Sequence, residues 1–435
     1  MNTAAIGPIF LDSEGRLPAQ VFADWCLHGI DHHHDYLVIV NFALREYWLE
    51  DGGEISLHAI YCHYDGQRWL SVTDKPLQPS GLPTQQQYAA WVAEHQCASI
   101  PLGAPVSLSP VVVPKPWGRE VWFSGVESRG VCGFATGGKT TPVPWIQAAM
   151  PDASMGLAGD ALVLLKILDP SSEPVTGDLY FELHQEKREV YVVTHVDANA
   201  WPTGTGFIRY GFDPKAVAAA GSEQAFREEY LSCVQAYEQV RREIDTLADG
   251  ASVSASMRTK EVSLRADMDA YSLLRPLKVG DVVKVPLLLP HSLQHGVRTI
   301  EFQTPVYERK ILSFAQQVLT QDHWDTAEAV EQMALLAPTD QPFPLLQDEE
   351  GITVEKIVDF ADFEVWRVTL NGNSAYPVPD CGSYRLLMVL LGSLTVQGLT
   401  LGAEQAAILP ALSKLRVISS EPSRRAVFLL ATPQI

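Results

Sequence analysis

The amino-acid sequence predicts a mainly β protein of two or three domains, interrupted by one helical insertion. Three observations predict it. The chain has 435 residues, more than one ordinary hydrophobic core organises. Short runs rich in β-branched and aromatic residues recur from Tyr36 to the C-terminus, several with period-two alternation. A sustained apolar spacing of three to four residues replaces that alternation from Asp213 to about Leu247.

Composition narrows the classes. Hydrophobic residues make up 46% of the chain, enough for large cores and inconsistent with disorder. No apolar run reaches membrane-spanning length, and the N-terminus lacks a basic region followed by an apolar block. The expectation is a cytoplasmic protein without signal peptide or anchor. Its six cysteines are scattered, without Cys-x-x-Cys pairs, as suits reduced thiols rather than a disulfide framework. A formal charge of −20 argues against nucleic acid or an anionic membrane as partner. It also weighs mildly against a phosphorylated substrate, which local Lys or Arg would have to offset.

Residues 1–108 read as a separate β-rich accessory domain. Tyr36 to Leu44 and Glu54 to Tyr64 have strand character. Asp65 and Gly66 mark a turn before a third strand over 67–72, and 85–95 suits a helix. Within Asp31-His-His-His-Asp35, adjacent side chains on a strand would alternate faces, so a polar turn is expected there rather than a metal site. The proline-rich stretch 101–116 reads as a boundary. The Pro-Trp-Gly turn at 116–118 leads into a Trp-Phe strand, and Leu162 to Asp169 reads as a buried strand.

The chemistry concentrates in two stretches. From Gly177, Leu179, Phe181 and Leu183 alternate with Tyr180, Glu182 and His184, and a polar turn over 185–188 leads to a second strand from Glu189. A hairpin here would gather Glu182, His184 and Glu189 on one face, an N/O set suited to a divalent metal with positions open for water or substrate. Further on, Gly280, Pro286 and His291 frame a strand, a proline-braked turn and a histidine. Arg258 to Arg265 is a small basic cluster, expected to be a solvated face. The stretch from Gly351 to the C-terminus is all β in pattern and holds no histidine.

Together the two stretches resemble the paired motifs of the cupin superfamily. Gly177, Glu182, His184 and Glu189 fit the first motif, and Gly280, Pro286 and His291 fit the second. Glu182 stands where most cupins have His, and Leu288 where a glycine is usual. The Pro-Trp-Gly entry, the 162–169 strand and the helical insertion are similar to type I mannose-6-phosphate isomerases. There the first ligand is a glutamine; Glu182 takes its place, while His184, Glu189 and His291 match.

The resemblance implies a tandem cupin, a pair of double-stranded β-helix (jelly-roll) barrels. A metal-binding barrel is expected over 109–340, with a helical insertion about 213–275, and a metal-free barrel over 341–435. It implies an aldose–ketose isomerase of sugar phosphates holding a divalent metal, zinc foremost, on Glu182, His184, Glu189 and His291. Lys187, Glu301, Arg309 and Lys310 are the implied catalytic and phosphate-binding residues. The partner is a small sugar or sugar phosphate, and a homo-oligomer is allowed. Two other readings stay open: an oxygenase or isomerase acting on a sugar or sugar acid, and a non-catalytic sugar-binding cupin.

Overall fold

The computed structural model describes residues 8–28, 35–77, 87–156, 162–247, 252–411, 413–421 and 423–434. The histidines of the 31–35 run lie outside these residues. The chain forms two compact units, one of residues 1–111, 122–164 and 343–435, the other of 112–121 and 165–342. Among the described residues no helix is long and apolar enough to cross a membrane.

In the first unit, strands Ile9–Asp12, Tyr36–Arg45, Glu54–Tyr64, Gln67–Thr73 and Ile100–Pro101 lie side by side in one sheet. The first pair is parallel and the others are antiparallel. Leu37, Ile39, Ile60 and Cys62 bury one face beneath Tyr88, Trp91 and Val92 of helix Tyr88–Glu94. Helix Pro18–His28, which the strand pattern does not reveal, stacks Phe22 on Tyr61 at 3.8 Å between ring centroids.

The same unit holds a nine-stranded sheet facing a four-stranded one composed of Ala375–Val378, Leu415–Ser419, Ser393–Val396 and Leu399–Gly402. The larger sheet carries the long strands Phe363–Leu370, Arg385–Leu391 and Ala426–Pro433. This C-terminal barrel is filled by an apolar cluster that includes Leu387, Val389, Leu394, Val417 and Phe428. Its sheet also recruits Val106–Ser109, whose Val106 is registered on Ile408, and then Gly133–Thr136 and Lys139–Pro142. That backbone pairing places 106–109 and 133–142 in the same compact unit as the C-terminal barrel. Residues 122–164 cluster with the termini because a shared sheet, rather than sequence order, defines the compact unit.

The second unit is a sandwich of two sheets. One orders Val282–Val285, Glu189–Val196, Val297–Gln303, Leu164–Pro170, Gly118–Trp122 and Val111–Lys115. The other orders Ser272–Leu277, Gly206–Phe212, His291–Leu293, Phe181–Leu183 and Lys310–Ser313. Helices Pro214–Ala219, Glu223–Asp245 and Ala255–Asp269 form the insertion between Gly206–Phe212 and Ser272–Leu277, two paired strands of the second sheet. The long helix is capped by the Ser222 hydroxyl, which accepts from the Ala225 amide, and buries Phe226, Tyr230, Val234 and Tyr237 on one stripe. Helix Thr326–Gln332 begins one residue after Asp325; Thr326 does not cap it but donates its hydroxyl to the Leu312 carbonyl.

One expectation fails instructively. The strands bearing Glu182 and Glu189 do not form a hairpin: each belongs to a different sheet of the sandwich. Residues 184–188 turn the corner between sheets. Local alternation cannot distinguish a hairpin turn from a corner, because both need the same polar, strand-breaking residues.

Candidate metal centre

Each candidate ligand is positioned by a different backbone device. Glu182 and His291 are direct register partners on neighbouring antiparallel strands, which brings their side chains to one face. Upstream, Gly177 is required by close approach, since a Cβ there would lie 2.1 Å from the Ser171 carbonyl oxygen. Ahead of His291, Leu288 has φ +65°, the left-handed region that glycine enters freely. Its amide donates to the His184 carbonyl at 2.7 Å and its carbonyl accepts from Ala334. The departure from glycine therefore occurs at a position whose backbone still has the glycine conformation.

The side chains converge between the sheets. Ligand atoms of Glu182, His184 and His291 lie within 4.8 Å of one another. The two imidazole centroids are 5.2 Å apart. Glu189, from the opposite sheet, lies against both histidines: His184 Nε2 is 3.3 Å from its Oε1 and His291 Nε2 is 3.0 Å from its Oε2. His184 and Glu189 are 1% and 2% exposed.

The hydrogen bonds around this set suit a cation. His184 Nδ1 donates to the Glu308 carbonyl at 2.9 Å and His291 Nδ1 to the Leu289 carbonyl at 3.1 Å. In that tautomer both Nε2 lone pairs face the cluster. His184 Nε2 and Glu182 Oε2 are buried without a hydrogen-bond partner. Burial, with the Lys187 ammonium nearby, holds His184 below its ordinary pKa, and so neutral. Burial alone would raise the Glu189 carboxyl, but the Lys187 ammonium holds it well below the usual carboxylate range. A neutral imidazole beside an ionised carboxylate is the protonation state a divalent metal binds. The residues present fit such an ion.

Around the ligands lies a ring of buried charge. Lys187 Nζ is 2.7 Å from Glu189 Oε1, and the Tyr191 hydroxyl donates to Glu189 Oε2 at 2.6 Å. Across the sheet, Glu301 is the register partner of Tyr191 and Gln303 that of Glu189. Lys166 Nζ donates to Gln303 Oε1 at 2.5 Å and lies 3.9 Å from Glu301 Oε2. Burial, with Glu189 nearby, pushes the Glu301 carboxyl up to about 8 despite Lys166. Burial works against the Lys166 ammonium, yet Glu301, Glu120 and further carboxylates raise its pKa. Lys115 and Glu120 form another buried pair at 3.1 Å.

The two remaining candidates diverge. Arg309 comes within 3.7 Å of Glu182 Oε2, with its guanidinium over the Tyr180 ring. Lys310 instead meets Glu328 on helix Thr326–Gln332 at 2.5 Å. Sequence reasoning missed Lys166, Tyr191 and Glu120 as neighbours of the site. The available signal was a lysine inside the otherwise apolar run Leu162 to Leu168. A charge there must find partners or stay out of the core.

No family model matches the sequence, and no curated protein does. Solved structures do match in fold. The mannose 6-phosphate isomerase from Bacillus subtilis superposes with a TM-score of 0.55 at 16% identity, covering 76% of this chain and 99% of its own. The chain shares the fold of the mannose 6-phosphate isomerases. A zinc-bound mannose 6-phosphate isomerase gives 0.55 at 12% identity, over 76% of this chain and 100% of that one. A variant of the phosphomannose isomerase from Salmonella typhimurium gives 0.54 at 12%, over the same shares. The neighbours are spanned end to end, while about a quarter of this chain has no counterpart in them. The isomerase-like fold and the clustered Glu182, His184 and His291 together support a divalent-metal site.

Proposed function

We propose that this protein is a metal-dependent aldose–ketose isomerase acting on a sugar phosphate. The observation that carries the reading is the two-histidine, carboxylate-bearing cluster inside a sandwich of the isomerase fold. Glu182, His184, Glu189 and His291 would hold the ion, most suitably zinc. When bound, it supplies Lewis acidity toward the oxygens of the two carbons between which the carbonyl moves.

The chain's own groups account for the rest. Isomerisation must take a proton from one carbon and return it to the next. Glu301, kept protonated up to about pH 8 by burial and Glu189, serves as a proton store at its carboxyl oxygen. Lys187 Nζ, 2.7 Å from Glu189 Oε1, fixes that carboxylate and offers a second proton carrier. Arg309 provides the planar guanidinium that suits a phosphate, while Lys310 is engaged by Glu328.

The test is interconversion of mannose 6-phosphate and fructose 6-phosphate by protein reloaded with zinc, manganese or cobalt. Turnover lost in His184→Ala supports the reading; no turnover with any of these metals overturns it. A second reading has its own support, because two histidines and one carboxylate also suit a non-haem iron oxygenase. Iron retention with substrate-dependent oxygen uptake would favour that reading instead.

A further inference from the structure

Four cations surround the cluster, and they are not equally committed. Lys187 contacts Glu189 at 2.7 Å, Lys115 contacts Glu120 at 3.1 Å, and Lys166 contacts Gln303 at 2.5 Å. Arg309 meets Glu182 only at 3.7 Å, ion-pair distance rather than hydrogen-bond distance. Glu182 Oε2 correspondingly has no hydrogen-bond partner although it is buried. The guanidinium does not depend on Glu182 for its position. Its carbon lies 4.4 Å from the Tyr180 ring centroid, and Nη2 donates at 2.6 Å to the hydroxyl of exposed Thr320. Arg309 is thus held in place from two sides, with Nη1 turned toward one loosely bound carboxylate.

We propose that Arg309 is shared between Glu182 and a phosphate dianion, so that neutralising Glu182 releases the guanidinium to bind the anion. With Glu182 charged and unliganded, the carboxylate opposes a second anion and occupies the charge of Arg309. Once Glu182 acts as a ligand, its charge is offset elsewhere, and Nη1 is free for a phosphate oxygen within a guanidinium already oriented by Tyr180 and Thr320. An amide at position 182 would carry no such control, so the carboxylate makes anion binding conditional on a filled centre. The inference rests on Glu182 being a metal ligand, yet its test needs neither metal nor turnover.

The experiment is calorimetric titration of inorganic phosphate into chelator-treated, metal-free protein. Glu182→Gln is expected to bind phosphate about tenfold or more tightly than wild type, the scale of one charge-assisted hydrogen bond. Adding Arg309→Met to Glu182→Gln should abolish that gain. Arg309→Met alone should change phosphate affinity less than about twofold, because the guanidinium is already occupied by Glu182. Equal affinities in wild type and Glu182→Gln would overturn the proposal. So would a gain that survives Arg309→Met, which would show a general field effect rather than a handover of this arginine. Absence of zinc binding or isomerase turnover in wild type overturns the functional reading, and is scored separately from these titrations.

Discussion

The two β-sandwich interiors in this chain are filled in opposite ways. In the C-terminal barrel the inner faces meet in aliphatic and aromatic side chains, with Leu387, Val389 and Phe428 essentially inaccessible. In the 165–342 unit an apolar cluster with Trp117, Val283 and Leu293 fills part of the interior, while Lys166, Lys187, Glu189 and Glu301 occupy the rest. The first filling contributes transfer free energy at every position. The second is tolerable only because each charge has a partner within reach. The same kind of sandwich is thus filled with apolar side chains in one place and with buried charge in the other, and each should fail differently.

The largest effect is expected where the polar interior loses a ligand. His184→Ala should weaken zinc binding by more than about 100-fold, since even residues that merely support metal ligands cost 10–100-fold. Competition with a chromophoric chelator measures this, with far-UV circular dichroism to verify the fold. Unchanged affinity would remove His184 from the metal centre. The apolar interior should respond in stability instead. Phe428→Ala is expected to cost about 3–5 kcal/mol in denaturant unfolding while leaving zinc affinity in folded protein intact. A loss of metal without a loss of stability would break the contrast.

A smaller effect should expose the cost of buried charge. The Glu301 carboxyl is held up to about 8, above the roughly 4.3 expected in the unfolded chain. A raised folded value contributes stability fully below about pH 4.3, and this is lost as pH rises toward 8. Metal-free wild type should therefore lose up to a few kcal/mol across that window relative to Glu301→Gln, whose slope should be flatter. Urea unfolding at pH 5, 7 and 9 checks this; parallel slopes would place the proton elsewhere. The smallest effect is expected at Leu288. Leu288→Gly relieves about 1–2 kcal/mol of left-handed backbone strain but removes a half-buried side chain of similar worth. Its net change should stay within about 1 kcal/mol, whereas a large loss would show that Leu288 matters mainly through packing.

Residue spacing made much of the site legible. Glu182, His184 and His291, which the structure clusters, were readable together because their motifs come in order and carry metal-ligating side chains. The helical insertion was equally plain, since Phe226, Tyr230, Val234 and Tyr237 repeat at helical spacing. Lys310 shows the limit. Adjacent to Arg309 in sequence, it differs from it only in which way the chain turns, and that sends its ammonium to Glu328.

Sequence by itself determined the local terms: strand alternation, helix periodicity, the histidines, and an acidic chain whose few cations had to be placed with care. Tertiary structure alone decided what lies across from what. It put Glu182 and Glu189 on facing sheets instead of one hairpin, joined 133–142 to the C-terminal sheet, and set Lys166 against Gln303 and Glu301. The physical reason is that pairing register and burial act between residues more than a hundred positions apart. Alternation and spacing describe only what a side chain's near neighbours in sequence impose on it.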